Sequence, residues 1–310
     1  MSAGGRPVAD QPTSVDLHLH TLVSDGDESP ADLARRCLAA GLRVAACTDH
    51  DSVAGVAEFA AVAEPAGLQV IPGCEVTVTW RGQELHCLAY YVDLHDAVFR
   101  DRVDNVRRVE VAWWRDWFDQ AATIGVPVDW ATAARRFGAD RVAYIGDYLD
   151  FFLDAADGDA RFADYPRGDH ARLIKEWCKP GQPLHVPHPW RPELAEVVRW
   201  VAEAGGVTVL AHPARAFPAD EMPDRLADLA GLGLTGIEVW TTWHDAGDID
   251  RLAGLCDRHG LVATQGSDYH GVRLKPWAPS PGLVPARAAD PLEIVARLEA
   301  ARPAVAGNRP

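Results

Sequence analysis

Two histidines, His18 and His20, lie two residues apart in an alternating stretch near the start of the chain. Alternation of apolar and polar residues is typical of a β-strand, and it places Asp16, His18 and His20 on one face. Two imidazoles on one face of a strand can bind the same divalent ion. An isolated pair is more simply explained as two solvated histidines at the end of a strand, so the interpretation depends on the rest of the chain.

Five later stretches also carry side chains that bind metals, and most of these stretches directly follow an apolar run. In chain order they contain Asp49-His50, Glu75, His212, Glu238 and Asp268-Tyr269-His270. In a parallel barrel the carboxyl ends of the strands meet at one face, which is where the active sites of that architecture lie. The sequence therefore predicts that residues spread over most of the chain form a single site.

The residue types of this predicted site indicate its chemistry. Imidazole and carboxylate ligands together suit Zn, Mn or Fe, and the lack of a thiolate cluster argues against a structural zinc site. The candidates exceed what one ion can use, so we expect two or three divalent ions. Such clusters favour the hydrolysis of phosphate esters, in which one ion generates hydroxide and the others neutralise the phosphate oxygens.

Segments typical of strands and helices alternate along the first 92 residues and again after about residue 188. Ser29-Pro30-Ala31-Asp32 has the N-cap, the proline and the acid of a helix start, and Gly41 is suited to end that helix. The apolar runs Leu42–Cys47 and Leu68–Gly73 are predicted strands, and a helix is predicted between them. This order predicts an α/β fold with parallel strands.

The alternation breaks between residues 93 and 187. Here the pattern predicts a long helix over Val98–Ile124 and shorter helices over residues 130–137 and 144–153, so we interpret this region as a mostly helical insertion domain. Its tryptophans Trp113, Trp114 and Trp117 are predicted to form the insertion's own core, because Trp is usually buried, and not a platform for stacking nucleobases.

Composition excludes some classes of partner. The 310 residues are 48% hydrophobic, which supports a large core, and the formal net charge of −15 disfavours tight binding of long nucleic acids. A small anionic substrate is still compatible, since bound metal ions reverse the local field. Six cysteines without CxxC spacing indicate a reducing compartment. We find no signal peptide or membrane span, expect residues 1–13 to be a disordered leader, and predict a cytoplasmic protein with no membrane partner.

As an ordered set, these motifs resemble those of the PHP (polymerase and histidinol phosphatase) superfamily. The resemblance is carried by His18-x-His20, Thr48-Asp49-His50, Gly73-Cys74-Glu75, Ala211-His212-Pro213 and Ser267-Asp268-x-His270. It implies a distorted (β/α)7 barrel with a trinuclear metal centre and phosphoesterase activity. The barrel would be formed by residues 14–92 and 188–310, and residues 93–187 would be an insertion that acts as a lid and selects the substrate.

The resemblance also implies metal ligands at nine positions. One ion would be bound by His18, His20, Glu75 and Asp268, a second by Glu75, His86 and His212, and a third by Asp25, His50 and His270. Glu75 would therefore bridge two ions. Asp49 and Glu238 would not bind metal, and would instead orient ligand histidines.

The insertion resembles that of a subgroup that dephosphorylates nucleotides, including 3′,5′-bisphosphates and AMP. Arg215 matches a basic position of this subgroup and is suited to bind phosphate. Where the subgroup has Arg-Pro-His, this chain has Arg141-Val142-Ala143, so Arg141 is a candidate substrate contact and the histidine has no counterpart. His244, which follows a predicted strand, is a weaker candidate. Lys275 is expected to be a solvated lysine.

The predicted function is hydrolysis of a small phosphomonoester, nucleotide-like or another metabolite phosphate, by a metal-bound hydroxide, with Glu75 and Arg215 as the catalytic residues. The alternative within enzymes is a phosphodiesterase or nuclease that acts on short oligonucleotides or cyclic phosphates with the same metal centre. A different class is a non-catalytic binding module on an inactive barrel. Loss of ligands would mark such a module, and all nine ligand positions are filled here.

Overall fold

Seven strands form one sheet in the computed structural model, which describes residues 13–285 and 288–303. In sheet order they are β1 (Val15–Leu19), β2 (Val44–Cys47), β3 (Gln69–Trp80), β4 (Gln83–Tyr90), β5 (Val207–Leu210), β6 (Gly236–Trp240) and β7 (Val262–Gln265). A parallel bridge between Leu19 and Tyr269 joins the end of β1 to the segment after β7, so the sheet nearly closes into a barrel. The predicted α/β fold with a distorted seven-stranded barrel is confirmed.

The α-helices of the described residues lie between these strands in the chain, except the last, which follows β7. They are α1 (Pro30–Ala39), α2 (Val56–Ala63), α3 (Ala97–Thr123), α4 (Trp130–Phe137), α5 (Ile145–Ala155), α6 (Ala171–Trp177), α7 (Leu194–Glu203), α8 (Met222–Ala230), α9 (Ala246–His259) and α10 (Pro291–Ala300). The predicted start of α1 is confirmed, because the Ser29 hydroxyl accepts a hydrogen bond from the backbone N–H of Asp32 at 3.1 Å and Pro30 is the first helical residue. Helix α6 lies in a stretch rich in Asp, Gly and Pro for which the sequence indicated no element.

One hairpin departs from the all-parallel arrangement that the sequence suggested. Strands β3 and β4 pair antiparallel and are joined by Arg81-Gly82, both of which have positive φ angles (52° and 77°). Such a two-residue turn matches the twist of an antiparallel pair. The predicted strand that ended at Gly73 therefore continues to Trp80, with Glu75 inside it. Since β4 runs against its neighbours, its beginning, where His86 is, lies at the face that holds the carboxyl ends of the parallel strands.

Both faces of the central strands are covered. All residues of β1, β2 and β5 are buried, as expected for strands with helices on the outside. One apolar cluster joins β1, β2 and β5 to α10 through residues such as Leu17, Val209 and Leu298. A second cluster packs β1 and β2 against α1 and α2, with Leu33 and Phe59 among its buried residues.

The chain divides into two compact units. One, here called the insertion unit, comprises residues 105–191, and the other, here called the barrel unit, holds the described residues on either side of it. The predicted insertion began at residue 93 and ended at residue 187, whereas the first turns of α3 group with the barrel unit. The predicted leader lies outside the described residues except for Thr13, which is buried and donates its backbone N–H to Gly282. No helix of the described ranges is long and apolar enough to cross a membrane.

The insertion unit has its own aromatic core. Trp114 packs against Tyr148 with ring centroids 4.6 Å apart, and Trp117 packs against Phe152 at 5.4 Å. Trp113 is partly buried, and its indole N–H donates to the carbonyl of Val186 at 3.0 Å. Rings at these separations gain stability beyond the area they bury. The prediction that these tryptophans form a core is confirmed.

A nearly buried acid, Glu110, connects α3 to the end of the insertion unit. Its Oε1 lies 2.7 Å from Nε of Arg191 and 3.0 Å from Nε2 of His188, and its Oε2 lies 3.2 Å from the second guanidinium nitrogen of Arg191. Burial raises the pKa of Glu110, but hydrogen bonds from His188 and Arg191 outweigh it and hold the pKa below its ordinary value of 4.5. The ionised carboxylate therefore stabilises this unit.

Replacement of Glu110 by Gln should lower the free energy of unfolding at neutral pH by about 2 kcal/mol, because it removes the charged acceptor of the hydrogen bonds from Arg191 and His188. Since the pKa of Glu110 is lowered in the folded state, this contribution is complete above pH 4.5 and disappears as the pH falls through the folded value. Urea unfolding, followed by tryptophan fluorescence, should show a difference in unfolding free energy between wild type and Glu110→Gln at pH ~7 that narrows as the pH falls below ~4. A difference that is independent of pH would contradict the assignment.

Candidate metal centre

The ligand atoms of eight predicted ligands form three overlapping groups, each within 4.8 Å. The groups are His18, His20, Glu75 and Asp268; His20, Asp25, His50 and His270; and His50, Glu75 and His86. The ninth, His212, has its Nε2 3.2 Å from Oε1 of Glu75. The structure thus brings all nine candidate ligands together. It differs from the predicted assignment to three ions in two ways. His20 also groups with Asp25, His50 and His270, and the residue that groups with Glu75 and His86 is His50 instead of His212.

Glu75 lies at the centre of the cluster. Its Oε2 is 3.1, 3.2 and 3.3 Å from Nε2 of His18, His20 and His50, and its Oε1 is 3.1 Å from Nδ1 of His86. Its backbone is fixed by the loop after β2, because the backbone N–H of Asp51 donates to the Glu75 carbonyl at 2.8 Å. With two oxygens that face different histidines, Glu75 has the geometry of a bridging ligand.

Several buried atoms of this cluster make no hydrogen bond within the described residues. They are Nε2 of His18, both ring nitrogens of His20, Nδ1 of His50 and Oε2 of Glu75. Buried polar atoms in proteins almost always have a partner, because an unpaired one costs free energy. Here most of these atoms lie just over 3 Å from another ligand atom of the cluster, as ligands around cations do. Their nitrogen and oxygen chemistry fits Zn, Mn or Fe.

Neighbouring opposite charges stabilise the ionised forms of several groups in the cluster. Burial raises the pKa of Glu75, but the positive charges of His18 and His86 outweigh it and hold that pKa well below its usual range. Burial lowers the pKa of His18, yet Glu75, Glu238 and Asp268 raise it to about 10. For His50 burial dominates and lowers the pKa to about 3. The protons held by imidazoles such as His18 are those that a bound metal would displace.

Two of the ligands have strained backbones. His212 has φ 28° and Asp268 has φ 53°, both in the left-handed region, which costs non-glycine residues about 1–3 kcal/mol. Glu238 offsets this cost at His212, since its Oε2 accepts the backbone N–H of His212 at 2.9 Å. The other oxygen of Glu238 lies 2.9 Å from Nδ1 of His18. The predicted contact between Glu238 and a candidate ligand histidine is therefore present.

Asp49 acts differently from the prediction. Its carboxylate accepts hydrogen bonds from the backbone N–H of Thr21 at 2.7 Å, the Thr21 hydroxyl at 2.8 Å and the Ser24 hydroxyl at 2.7 Å. It thereby holds the loop that presents Asp25, whereas its hydrogen bonds within the described residues include no histidine. The prediction that it orients a histidine is wrong, because alternation along β2 could not show which loop this carboxylate faces.

The role of Asp16 was not predicted, although the sequence pattern placed this residue on the ligand-bearing face of β1. Buried Asp16 accepts hydrogen bonds from the Ser267 hydroxyl at 2.6 Å and from the backbone N–H groups of Ser267 and Gly282. It fixes the segment that leads to Asp268. At Gly266 a Cβ atom would lie 2.3 Å from the His18 Cβ, so only glycine allows this segment to approach β1.

Lys275 and Trp243 meet the second oxygen of Asp268. Lys275 is 3% exposed, and its Nζ lies 2.7 Å from Oδ2 of Asp268. The expectation of a solvated lysine is wrong, because a buried carboxylate seven residues earlier in the chain pairs with it. The indole N–H of Trp243 donates to the same oxygen. The contacts of Lys275 and Trp243 with Asp268 could not be predicted from the sequence, because the spacing of these residues matches no known motif.

The three candidate substrate residues have different environments. Arg215 is exposed at the end of a short 3₁₀ turn that begins directly after His212. His244 is fully buried, with Nδ1 2.8 Å from the Val239 carbonyl and Nε2 accepting the backbone N–H of Ala214, a placement that does not support direct contact with substrate. Arg141 belongs to the insertion unit, where its Nε donates to the Phe137 carbonyl, and its role stays a prediction.

Comparison with known proteins identifies relatives with phosphoesterase names. A family model described as PHP domain matches residues 16–123. A 3′,5′-nucleoside bisphosphate phosphatase from Chromobacterium violaceum is 30% identical over 83% of this chain and 87% of its own length. A phosphoribosyl 1,2-cyclic phosphate 1,2-diphosphodiesterase from Eggerthella lenta is also 30% identical, over 83% of this chain and 94% of its own. Proteins named 5′-3′ exoribonuclease match at 25–27% identity.

A solved structure has the same fold over nearly the whole chain. It is an amidohydrolase from Chromobacterium violaceum, determined with bound sulfate and without metal. It superposes with a TM-score of 0.75 at 27% identity and covers 96% of this chain and 100% of its own. The fold is therefore shared with a protein that binds a tetrahedral anion.

Replacement of Glu75 by Gln tests the bridging position. The variant should bind Mn or Zn more than about a hundredfold more weakly than wild type, since even partners that only orient ligands contribute ten- to a hundredfold. Elemental analysis after gel filtration would measure the metal that each protein retains. The matched control is Glu64→Gln, the same change at an exposed glutamate, which should retain the wild-type content. Equal metal in all three proteins would contradict the assignment.

Proposed function

The chain belongs to the PHP domain family and is a metal-dependent phosphoesterase, and we propose that its substrate is a small phosphomonoester. The observation that carries the proposal is the cluster of eight candidate ligands around Glu75 with the exposed Arg215 three residues beyond His212. Arg215 is also close enough to act on His212 electrostatically. Burial lowers the pKa of His212 and the charge of Arg215 lowers it further, and together they outweigh Glu75, which raises it.

The residues divide the reaction between them. Bound divalent ions would supply an activated water and positive charge for the phosphate oxygens. Glu75 and the surrounding histidines would hold those ions and keep their positions fixed. Arg215 carries a planar set of N–H donors that matches two oxygens of a phosphate, and its exposure leaves those donors accessible to a substrate. Glu75 and Arg215 are therefore the two side chains on which we expect turnover to depend most.

Small substrates are favoured over polymers for an electrostatic reason. The formal net charge of −15 repels a polyanion, whereas one or two phosphates can be neutralised locally by the metal centre and a single arginine. The relatives named for a nucleoside bisphosphate and for a ribosyl cyclic phosphate support a substrate of this size. The relatives named exoribonucleases support the alternative, a phosphodiesterase that acts on short oligonucleotides.

A phosphate-release screen separates these candidates. The protein loaded with Mn would be assayed on nucleoside 3′,5′-bisphosphates, nucleoside monophosphates, sugar phosphates and histidinol phosphate. In parallel, bis(p-nitrophenyl) phosphate, a ribosyl cyclic phosphate and a short 5′-phosphorylated oligoribonucleotide would report on diesters. We expect the best monoester to exceed every diester in kcat/KM. A diester that is hydrolysed faster than all monoesters would replace the proposal with the alternative.

We further propose that the insertion unit contributes to substrate choice, because the ligands and Arg215 in the barrel unit all address metals or phosphate oxygens. Arg141→Ala should then change the ratio of activity between a nucleoside monophosphate and p-nitrophenyl phosphate, with the smaller effect on the latter, since selectivity depends on groups that contact the rest of the substrate. The control is Arg135→Ala, a change at an exposed residue of α4 that should leave the ratio unchanged. If Arg141→Ala lost the same fraction of activity on both substrates, the insertion unit would not select the substrate and the proposal would be wrong.

A further inference from the structure

Trp243, in the loop after β6, contacts both functional parts of the site. Its indole N–H donates to Oδ2 of the ligand Asp268, and the guanidinium carbon of Arg215 lies 4.1 Å from the centre of its ring. Its ring is 6.4 Å from that of the ligand His212. We propose that Trp243 is a positioning residue that fixes Asp268 for metal binding and Arg215 for phosphate binding, an inference that rests, for Arg215, on the proposed function.

The contact with Asp268 separates the two carboxylate oxygens. Oδ1 lies 3.3 Å from Nε2 of His18 and 3.2 Å from Nε2 of His20, within the group of metal-binding atoms. Oδ2 receives Lys275 at 2.7 Å together with the Trp243 N–H. Two donors on one oxygen hold the carboxylate plane and leave the other oxygen to the metal. Hydrogen bonds of this kind behind a ligand raise metal affinity by holding its orientation.

The contact with Arg215 orients a side chain that is otherwise exposed. A guanidinium above an aromatic face is attracted by the ring electrons and stacks flat against it. This attraction uses none of the five N–H donors of the guanidinium, so all of them can serve a phosphate. The backbone of the same turn is held from behind, since the N–H of Ala214 donates to Nε2 of buried His244. Trp243 and His244, adjacent in the chain, thus fix the side chain and the backbone of one turn.

Lys275 and Trp277 complete the surroundings of the indole. Nζ of Lys275 lies 5.1 Å from the Trp243 ring centroid, and the ring of Trp277, 36% exposed, packs edge-on at 5.6 Å. The indole is therefore held by Lys275 and Trp277 as well as by Asp268 and Arg215. A residue fixed in this way can transmit a defined position to the metal ligand and to the arginine.

Two substitutions separate the two contacts. Trp243→Phe keeps a ring under Arg215 but removes the N–H. Trp243→Leu removes both the ring and the N–H. Trp190→Leu, at a tryptophan that is 40% exposed in the insertion unit, is the control for loss of an indole. Trp243→Met, which fills more of the space, replaces Trp243→Leu if the latter does not fold, as judged by circular dichroism.

Binding is measured without turnover. Calorimetric titration of the metal-free protein with Mn gives metal affinity, and titration of the Mn-saturated protein with inorganic phosphate gives anion affinity. Trp243→Phe should bind Mn about ten- to a hundredfold more weakly and bind phosphate within about twofold of wild type. Trp243→Leu should in addition bind phosphate about two- to fivefold more weakly, the range for a lost cation–π contact at an exposed arginine. KM for p-nitrophenyl phosphate should rise with it at saturating Mn.

A double-mutant cycle tests whether Trp243 acts through Arg215. Arg215→Ala should weaken phosphate binding without weakening Mn binding, and Trp243→Leu should add little to the phosphate loss in the Arg215→Ala background. Unchanged Mn affinity in Trp243→Phe would overturn the assignment to Asp268, and additive phosphate losses would overturn the assignment to Arg215. If wild-type protein hydrolyses no phosphomonoester, the proposed function fails, while both titrations still decide the role of Trp243.

Discussion

The arrangement of the candidate metal centre depends on one buried carboxylate. Glu75 is fully buried with five imidazoles around it, and none of these groups would be stable there alone, because burial opposes charge on each of them. Together they offset that cost in part through mutual attraction, and several of their atoms still lack hydrogen bonds within the described residues. Divalent ions would supply partners for these atoms, which is why we assign the cluster to metal binding.

A second layer of buried acids holds the loops that carry the ligands. Asp16 fixes the segment before Asp268, Asp49 fixes the loop before Asp25, and Glu238 fixes both His18 and His212. Each of these acids accepts hydrogen bonds from backbone N–H groups or side chains in a neighbouring loop. This arrangement explains how strained residues such as His212 and Asp268 keep their positions. In the role proposed for it, Trp243 likewise holds Asp268 through its N–H, and it also contacts the exposed Arg215 through its ring.

The fold class could be predicted from the sequence because it depends on patterns within short segments, whereas the full set of nine candidate ligands came from the resemblance of the ordered motifs to a known family. Strand alternation and the order of the ligand motifs are enough to put His18, His20 and Asp268 in one site. Contacts between segments that are distant in the chain could not be predicted in this way. The β3–β4 hairpin was missed because the strand continues well past Glu75, the partner of Asp49 was misassigned, and Lys275 was expected in solvent because its partner is defined only by the path of the loop after β7.

The central claim is that Glu75 bridges divalent ions held by the surrounding ligands. Anomalous diffraction from crystals of the Mn-loaded protein tests it most directly, because it locates each ion and its ligands without relying on activity. We expect two or three peaks inside the cluster, with Glu75 oxygens within bonding distance, about 2.0–2.2 Å, of at least two of them. A single ion, or ions bound elsewhere with Glu75 contacting none, would contradict the claim.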